Sequence, residues 1–322
     1  MTVSNVLNSK TGFVGEETRR RVMKEIQNLD YRLLSSGRNL RLGVRQAVGV
    51  VIVDESEDFL SHPFISRMVS GICGVLNHHG YTMTVQGIAP DQFATTFGLR
   101  RADADAYCIR LHGSEAQRKA MLESLARLRE PVVLIQESLP AEGENRCVVR
   151  QDDYGGGRLM ADHLAARAVR SLWTIVPRFS GPMTDSRLKG LRDGFGAARR
   201  DVELHTIICD QNNFETAYNS LVGVLQTRPR PDAIVGINDE LALAALRALQ
   251  DHATNVPEDV LVTGFNGFYP LGFARPNLTT ILSRPTEVGA TAARLLLDYL
   301  KTGSFPRNEV VLPVTFRMGE SS

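Results

Sequence analysis

The chain has 322 residues, 43% of them hydrophobic and 23% charged, with 37 Lys and Arg against 36 Asp and Glu and a net charge of +1. That length exceeds one small core and implies two or three domains, and the composition is that of a soluble globular protein. No apolar run approaches the ~18 residues of a membrane span, and the polar N-terminus lacks the apolar stretch of a secretory signal, so a cytoplasmic location is expected. Cys73, Cys108, Cys147 and Cys209 are far apart, with no CxxC pair and no histidine at ligand spacing. They read as free thiols of a reducing compartment, and no metal or cofactor is expected.

The charge is uneven. Residues 1–47 hold nine Lys/Arg against four Asp/Glu, a net +5, while the remaining 28 bases and 32 acids leave the rest at −4. A basic head on a mildly acidic body suggests that the head meets a polyanion; a solvated helix face is the plainer account.

In chain order, TVSNVLN is a short helical piece with Val3, Val6 and Leu7 on one side, followed by a polar, turn-forming NSKTGF. VGEETRRRVMKEIQNL then reads as an amphipathic helix. Gly15 is its N-cap, Glu16 and Glu17 suit its positive first turn, and Val22, Ile26 and Leu29 form the apolar stripe. From residue 47, strands and helices alternate. The strands are 47–53, 81–87, 106–111, 132–136, 145–150, 172–176, 204–209, 232–238 and 260–265, short and nearly continuous in apolar character, as in strands covered on both faces. The helices are 66–80, 115–129, 157–169, 185–200, 214–227, 240–253 and 286–303, and Ser66 is a candidate cap for the first. Repeated βα units imply parallel, doubly wound α/β sheets. About 270 residues of this pattern overfill one sheet, so two similar lobes are expected, with ligand at the carboxyl ends of strands between them.

The stretch TVSNVLN…VGEETRRRV…NLDY resembles the head of the lac-repressor-type (LacI/GalR) bacterial transcription regulators. The family's head is three helices, with the second in the DNA major groove. By this resemblance the first helix and turn would precede Met1. Either the true start lies upstream, which is the favoured account, or the chain has lost a helix. The resemblance implies DNA contacts at Thr2, Ser4, Asn5 and Asn8, with Asn5 in the place of a usual arginine. YRLLSSGRNLRL matches the family's hinge, whose leucine wedges into the minor groove. Leu40 takes that place, with Arg38 and Asn39 beside it. Leu33 and Gly37 replace a usual proline and alanine, and a weaker hinge helix or a plain linker is expected.

The resemblance continues over nearly the whole chain and implies an effector cleft between the lobes. DESEDFLSHPFIS looks like the family's first strand-to-helix loop with a few extra residues. Phe64 and Ile65 would face the cleft, or Ile65 would act as a helix-entry staple. VVRQDDYGGGRLMADHL looks like VxxDNxxGGRLAAxHL; its glycines suit close packing rather than a phosphate cradle, and Asp152 and Asp153 have no nucleophile or base nearby. DSRLKGLRDGF puts Arg187 at an effector-binding arginine. Phe214 would be an aromatic platform for a sugar, or a core residue. GINDELALAAL and VTGFNG place Asn238, Asp239 and Asn266 at ligand contacts. Arg110 stands where the family has a neutral polar residue, and Gln136 where some members have aspartate. If Arg110, His112 and Arg187 all face the cleft, a sugar acid or phosphorylated sugar is favoured; otherwise Arg110 pairs with Asp152 or Asp153.

The expected organisation is a head and hinge at 1–46 and a two-lobed, periplasmic-binding-protein-like body at 47–318. Lobe 1 would be about 47–148 plus 285–303, and lobe 2 about 149–284 plus 304–318. The expected function is a homodimeric repressor whose grip on operator DNA is set by a sugar-like effector, with no catalysis and no membrane. A sugar-binding sensor or transport protein without DNA binding is the alternative, and the basic head has no role in it.

Overall fold

The computed structural model describes residues 6, 14–28, 45–100, 104–140, 143–178, 181–198, 201–268 and 274–322, and the chain divides into Met1–Arg45 and Gln46–Ser322. In the first unit, α1 (Glu16–Asn28) starts directly after Gly15, whose carbonyl accepts from the Arg19 amide at 3.0 Å. Glu16 and Glu17 lie in its first turn, where the unpaired amides favour negative charge. Val22 and Ile26 are its half-buried apolar positions. The expected DNA contacts Thr2, Ser4, Asn5, Asn8, Arg38, Asn39 and Leu40 lie outside the described residues.

The second unit carries two six-stranded sheets. The first contains β1 (Ala47–Val53), β2 (Thr82–Ile88), β3 (Ala106–Arg110), β4 (Val132–Ile135), β5 (Arg146–Gln151) and β11 (Glu309–Leu312), in the order β11-β5-β4-β3-β1-β2 and all parallel. The second contains β6 (Ser171–Pro177), β7 (Glu203–Cys209), β8 (Ala233–Gly236), β9 (Leu261–Asn266), β10 (Thr279–Leu282) and β12 (Thr315–Arg317), in the order β12-β10-β9-β8-β6-β7, with only β12 antiparallel. Helices α2 (Pro63–His78), α3 (Phe93–Arg100), α4 (Glu115–Leu125) and α9 (Pro285–Thr302) belong to lobe 1. Helices α5 (Asp153–Ala166), α6 (Pro182–Ala197), α7 (Phe214–Leu225) and α8 (Asp239–Asp251) belong to lobe 2.

Every residue of β1 is buried, because alternate side chains enter two different cores. Val48, Val50 and Ile52 pack with Met68 and Ile72 of α2 and with Val288, Ala292 and Leu296 of α9. Val51 and Val53 pack on the other face with Met121 and Leu125 of α4. In lobe 2, Trp173 and Ile175 join Ala217, Leu221 and Leu241, whereas Leu172 joins Met160, Leu164 and Leu191. Glycines set the closest helix contact: a methyl at Gly157 of α5 would strike the Arg187 carbonyl of α6, and one at Gly190 would strike the Tyr154 carbonyl. The glycine run thus serves close packing, and Gly156 lies against Phe265 of β9.

The chain passes between lobes between Gln151 and Asp153, between Leu282 and Pro285, and between Leu312 and Thr315. The last crossing differs from the expected boundary at 304, because β11 pairs in parallel with β5 and so belongs to the first sheet. Helix α2 also starts earlier than expected. Pro63 takes its first position, where a missing N–H costs nothing. His62, not Ser66, is the cap, its Nδ1 accepting from the Phe64 amide at 3.3 Å.

Candidate functional site

A cleft of about 730 Å³ opens between the lobes. Its lobe 1 wall is the loop after β1 (Asp54 to Pro63), Ile65, the end of β3 (Arg110 to His112) and Gln136 after β4. Its lobe 2 wall is the end of β6, the start of α6, the loop after β7 (Asp210 to Asn213) and Glu240. These are carboxyl ends of parallel strands, where backbone groups and helix starts converge. Gln136 (φ 58) and Asn266 (φ 111) hold a left-handed backbone, a conformation that L side chains disfavour and that gathers at functional sites.

Of the expected effector residues, Ile65, Arg110 and Gln136 line this cleft. Asn238, Asp239 and Asn266 line an adjoining recess of only about 10 Å³ with His62 and Phe268, room for a water at most. Phe64 is fully buried, in tilted contact with Phe268 at 6.2 Å between centroids. Phe214 is 40% exposed and stacked on Tyr218, and it lines neither cavity.

Arg187 also lines neither. It is buried, and its Nε donates to Asp153 Oδ1 at 2.7 Å, its Nη1 to the Ile237 carbonyl at 2.7 Å and its Nη2 to Asn266 Oδ1 at 3.2 Å. Asp153 further accepts from Gln136 Nε2 and Gln151 Nε2, so the network ties the end of β4 to α5, α6 and β9. Asp239 accepts from Thr280 Oγ1, the Gly267 amide and the Phe268 amide. Burial raises its carboxyl to about 6, and those hydrogen bonds oppose the rise.

Arg110 pairs with neither Asp152 nor Asp153. Asp152 caps α5, accepting from the Gly155 amide, and Asp153 holds Arg187. Arg110 faces Asp54 instead, Nη1 to Oδ2 at 3.5 Å. His62 and His112 stand beside it, each lowered to about 4, first by burial and then by the Arg110 charge. Across the cleft mouth, His62 Nε2 meets Asn212 Nδ2 at 3.5 Å, and Asn212 Oδ1 accepts from Asn238 Nδ2 at 2.6 Å. Asp54, His62 and Asn212 escaped the sequence reading. The signal for His62 was present, since a proline at the first helical position puts the cap one residue before it.

Residues 161–322 match the family model of the periplasmic binding protein-like domain. The HTH-type transcriptional repressor PurR of Aliivibrio salmonicida is 25% identical over 303 residues, covering 93% of this chain and 88% of its own. A LacI family transcriptional regulator from Enterococcus faecium, solved with bound ribose, superposes with a TM-score of 0.72 at 24% identity over 86% of this chain and 98% of its own. The lac repressor dimer bound to operator and the anti-inducer ONPF superposes with a TM-score of 0.84 at 20% identity, over 99% of this chain and 94% of its own.

Proposed function

The chain belongs to the lac-repressor-type (LacI/GalR) family of regulators, built on the periplasmic-binding-protein-like domain, and from that premise we propose a cytoplasmic, homodimeric repressor that binds operator DNA through its basic head under control of a neutral, sugar-like effector. The curated relatives it matches are repressors, and the chain is a regulator and not an enzyme. Among the described residues no helix is long and apolar enough to cross a membrane. The observation that carries the effector reading is the inter-lobe cleft at the strand ends, with a volume that suits a small molecule. Ribose in the Enterococcus faecium structure gives the ligand class a precedent.

The charge of the cleft argues for a neutral effector rather than the anion that Arg110, His112 and Arg187 would favour together. Arg187 is spent on Asp153 and does not reach the cleft wall. His112 is uncharged above about pH 4. Among the described lining residues, Asp54, Glu55, Asp58, Asp210 and Glu240 bring five carboxylates against the one guanidinium of Arg110. Carboxylates only accept hydrogen bonds, and hydroxyls can supply the donors. Calorimetric titration of the full chain with neutral aldoses, aldonic acids and sugar phosphates should show the neutral set binding at least about tenfold more tightly. A sugar acid or phosphate that binds more tightly overturns the neutral reading. In fluorescence anisotropy against its own promoter DNA, the chain should bind with an affinity that falls steeply with salt and changes when the effector is added. Effector binding without DNA binding would favour a sensor instead.

We place the dimer contact along β2 and β7, the edge strands of the two sheets. Val85, Leu204 and Ile208 are 37%, 39% and 54% exposed there, and an open edge carrying apolar side chains is a template for a second copy. Ile208→Asp with Val85→Asp should convert a dimer to a monomer in sedimentation equilibrium with the fold intact. An unchanged mass would move the contact elsewhere.

A further inference from the structure

We infer that Gln46 is a fixed joint, held in a left-handed backbone conformation by Asp105 and Thr82, through which the body sets the direction of the chain that carries the basic head. The inference rests on the repressor reading above and names the residues that position that chain.

The two lobes start their central strands on one plan. In lobe 2, Asp232 Oδ2 accepts from the Arg170 and Ser171 amides at 2.7 and 2.9 Å. The Glu203 amide donates to the Arg170 carbonyl at 2.8 Å, and the Asp232 amide to the Ser171 carbonyl at 2.9 Å. In lobe 1, Asp105 Oδ2 accepts from the Gln46 and Ala47 amides at 2.7 and 3.4 Å. The Thr82 amide donates to the Gln46 carbonyl at 2.8 Å, and the Asp105 amide to the Ala47 carbonyl at 2.9 Å. The registers agree: Ala47 lies opposite Thr82 and Val48 opposite Ala106, just as Ser171 lies opposite Glu203 and Leu172 opposite Ala233. An aspartate placed one residue before the neighbouring strand is thus how each sheet satisfies two amides at the start of β1 or β6.

Lobe 1 adds two features to that plan. Gln46 has φ 54, whereas Arg170 is not left-handed, and Ala168, at φ 56, belongs to the end of α5. Thr82 Oγ1 also gives the Gln46 carbonyl a second donor, at 3.1 Å, where lobe 2 has Glu203. Because β6 starts without either feature, neither is needed to start a strand. A left-handed backbone is unfavourable for a residue with a Cβ, and the exposed Gln46 side chain gains no burial to offset it. The hydrogen bonds to Asp105 and Thr82 do, and they leave Gln46 no free backbone group. What differs between the lobes is the chain that arrives: β6 follows α5 inside the body, whereas β1 follows residues 1–45, a separate unit. Asp105 and Thr82 stand at the starts of β3 and β2, the two neighbours of β1, so the joint moves as one piece with the first sheet. Two tethered heads reach one operator together only if their tethers leave the body in suitable directions, and a joint free to turn lowers the effective concentration of the second head.

The test uses the full chain in amide hydrogen exchange and in fluorescence anisotropy against its own promoter DNA. The Gln46 and Ala47 amides should be protected in the wild type and exposed in Asp105→Ala, with Arg170 and Ser171 unaffected. Asp105→Ala should weaken DNA binding about tenfold or more. Asp232→Ala, which removes the matching bonds from lobe 2, should leave it within about twofold. If Asp105→Ala fails to fold, Gln46→Pro gives the same readout, since proline removes the donor and holds φ near about −65°. Gln46→Gly, which tolerates the left-handed conformation, should bind as the wild type does. Unprotected wild-type amides, equal weakening by Asp105→Ala and Asp232→Ala, or wild-type affinity in Gln46→Pro overturns the joint and leaves the repressor reading standing. If the wild-type chain binds no DNA, the repressor reading and the joint fall together.

Discussion

Arg187→Met should lower the thermal midpoint of the body by roughly 6–15 °C, through loss of a buried ion pair costing about 3–5 kcal/mol. The arginine and Asp153 have side-chain exposures of 6% and 5%, so solvent does little to screen their attraction or to rehydrate a partner left alone. Methionine preserves the apolar stem, although it forfeits the guanidinium stack 3.7 Å from the Phe265 ring. What it removes is the fork of donors to Asp153, to the Ile237 carbonyl and to Asn266. Asn266 keeps the Ser283 hydroxyl and Asp153 keeps two amide donors, but neither supplies a compensating charge. Adding Asp153→Asn should therefore recover part of the loss, and a urea-unfolding double-mutant cycle should return a coupling of about 1–3 kcal/mol. The same position in the sequence reads as an effector contact, which predicts weaker ligand binding at unchanged stability. A midpoint within about 2 °C of wild type would favour that role over the structural one.

The parts of the fold legible in the sequence are those that burial alone determines. AVGVVIV has to be a strand with cover on both faces, and β1 is that. Strands β10, β11 and β12 were missed for the converse reason. β11 and β12 are short and half-exposed at sheet edges, and β10 is rich in threonine, so no apolar run marks them. The start of α5 was hidden by its glycines, which weaken a helix locally but here let α6 approach. For the site, strand-end position suffices to put Arg110 and Gln136 on the cleft wall, whereas partner choice depends on strand order. β3 is next to β1 and separated from β5 by β4. Asp54 is therefore the acid beside Arg110, and Asp152 lies beyond reach. Pairing of this kind is a property of the sheet and has no local signature.

Acidification from pH 7 to about 4.5 should destabilise the body by a few kcal/mol, and replacing two histidines should reverse the sign. His62 and His112 have folded-state values of about 4 against an ordinary 6.5, chiefly through burial and then through Arg110. A lowered value means that the native state holds fewer protons than the unfolded chain between the two. Their contribution is thus complete above 6.5 and is lost as pH falls towards 4, by roughly 3 kcal/mol for each ring. Asp239 works the other way. Its folded value of about 6 lies above the ordinary 3.8, so its contribution is present below 3.8 and disappears as pH rises through 6, also by roughly 3 kcal/mol. Two rings against one carboxyl leave a net loss on acidification. His62 has a structural reason for its low value besides burial: its Nδ1 accepts the Phe64 amide at the start of α2, and a proton there would break the cap. In His62→Asn with His112→Asn, where asparagine retains a cap acceptor, only Asp239 remains of the three, and stability should rise by roughly 2–3 kcal/mol as pH falls from 6.5 towards 4. Arg110→Gln should move both rings part of the way back to 6.5, since burial remains. Urea midpoints at half-unit steps from pH 7 to 4.5 separate these cases, and a wild-type midpoint that stays level would mean that neither ring is shielded from water.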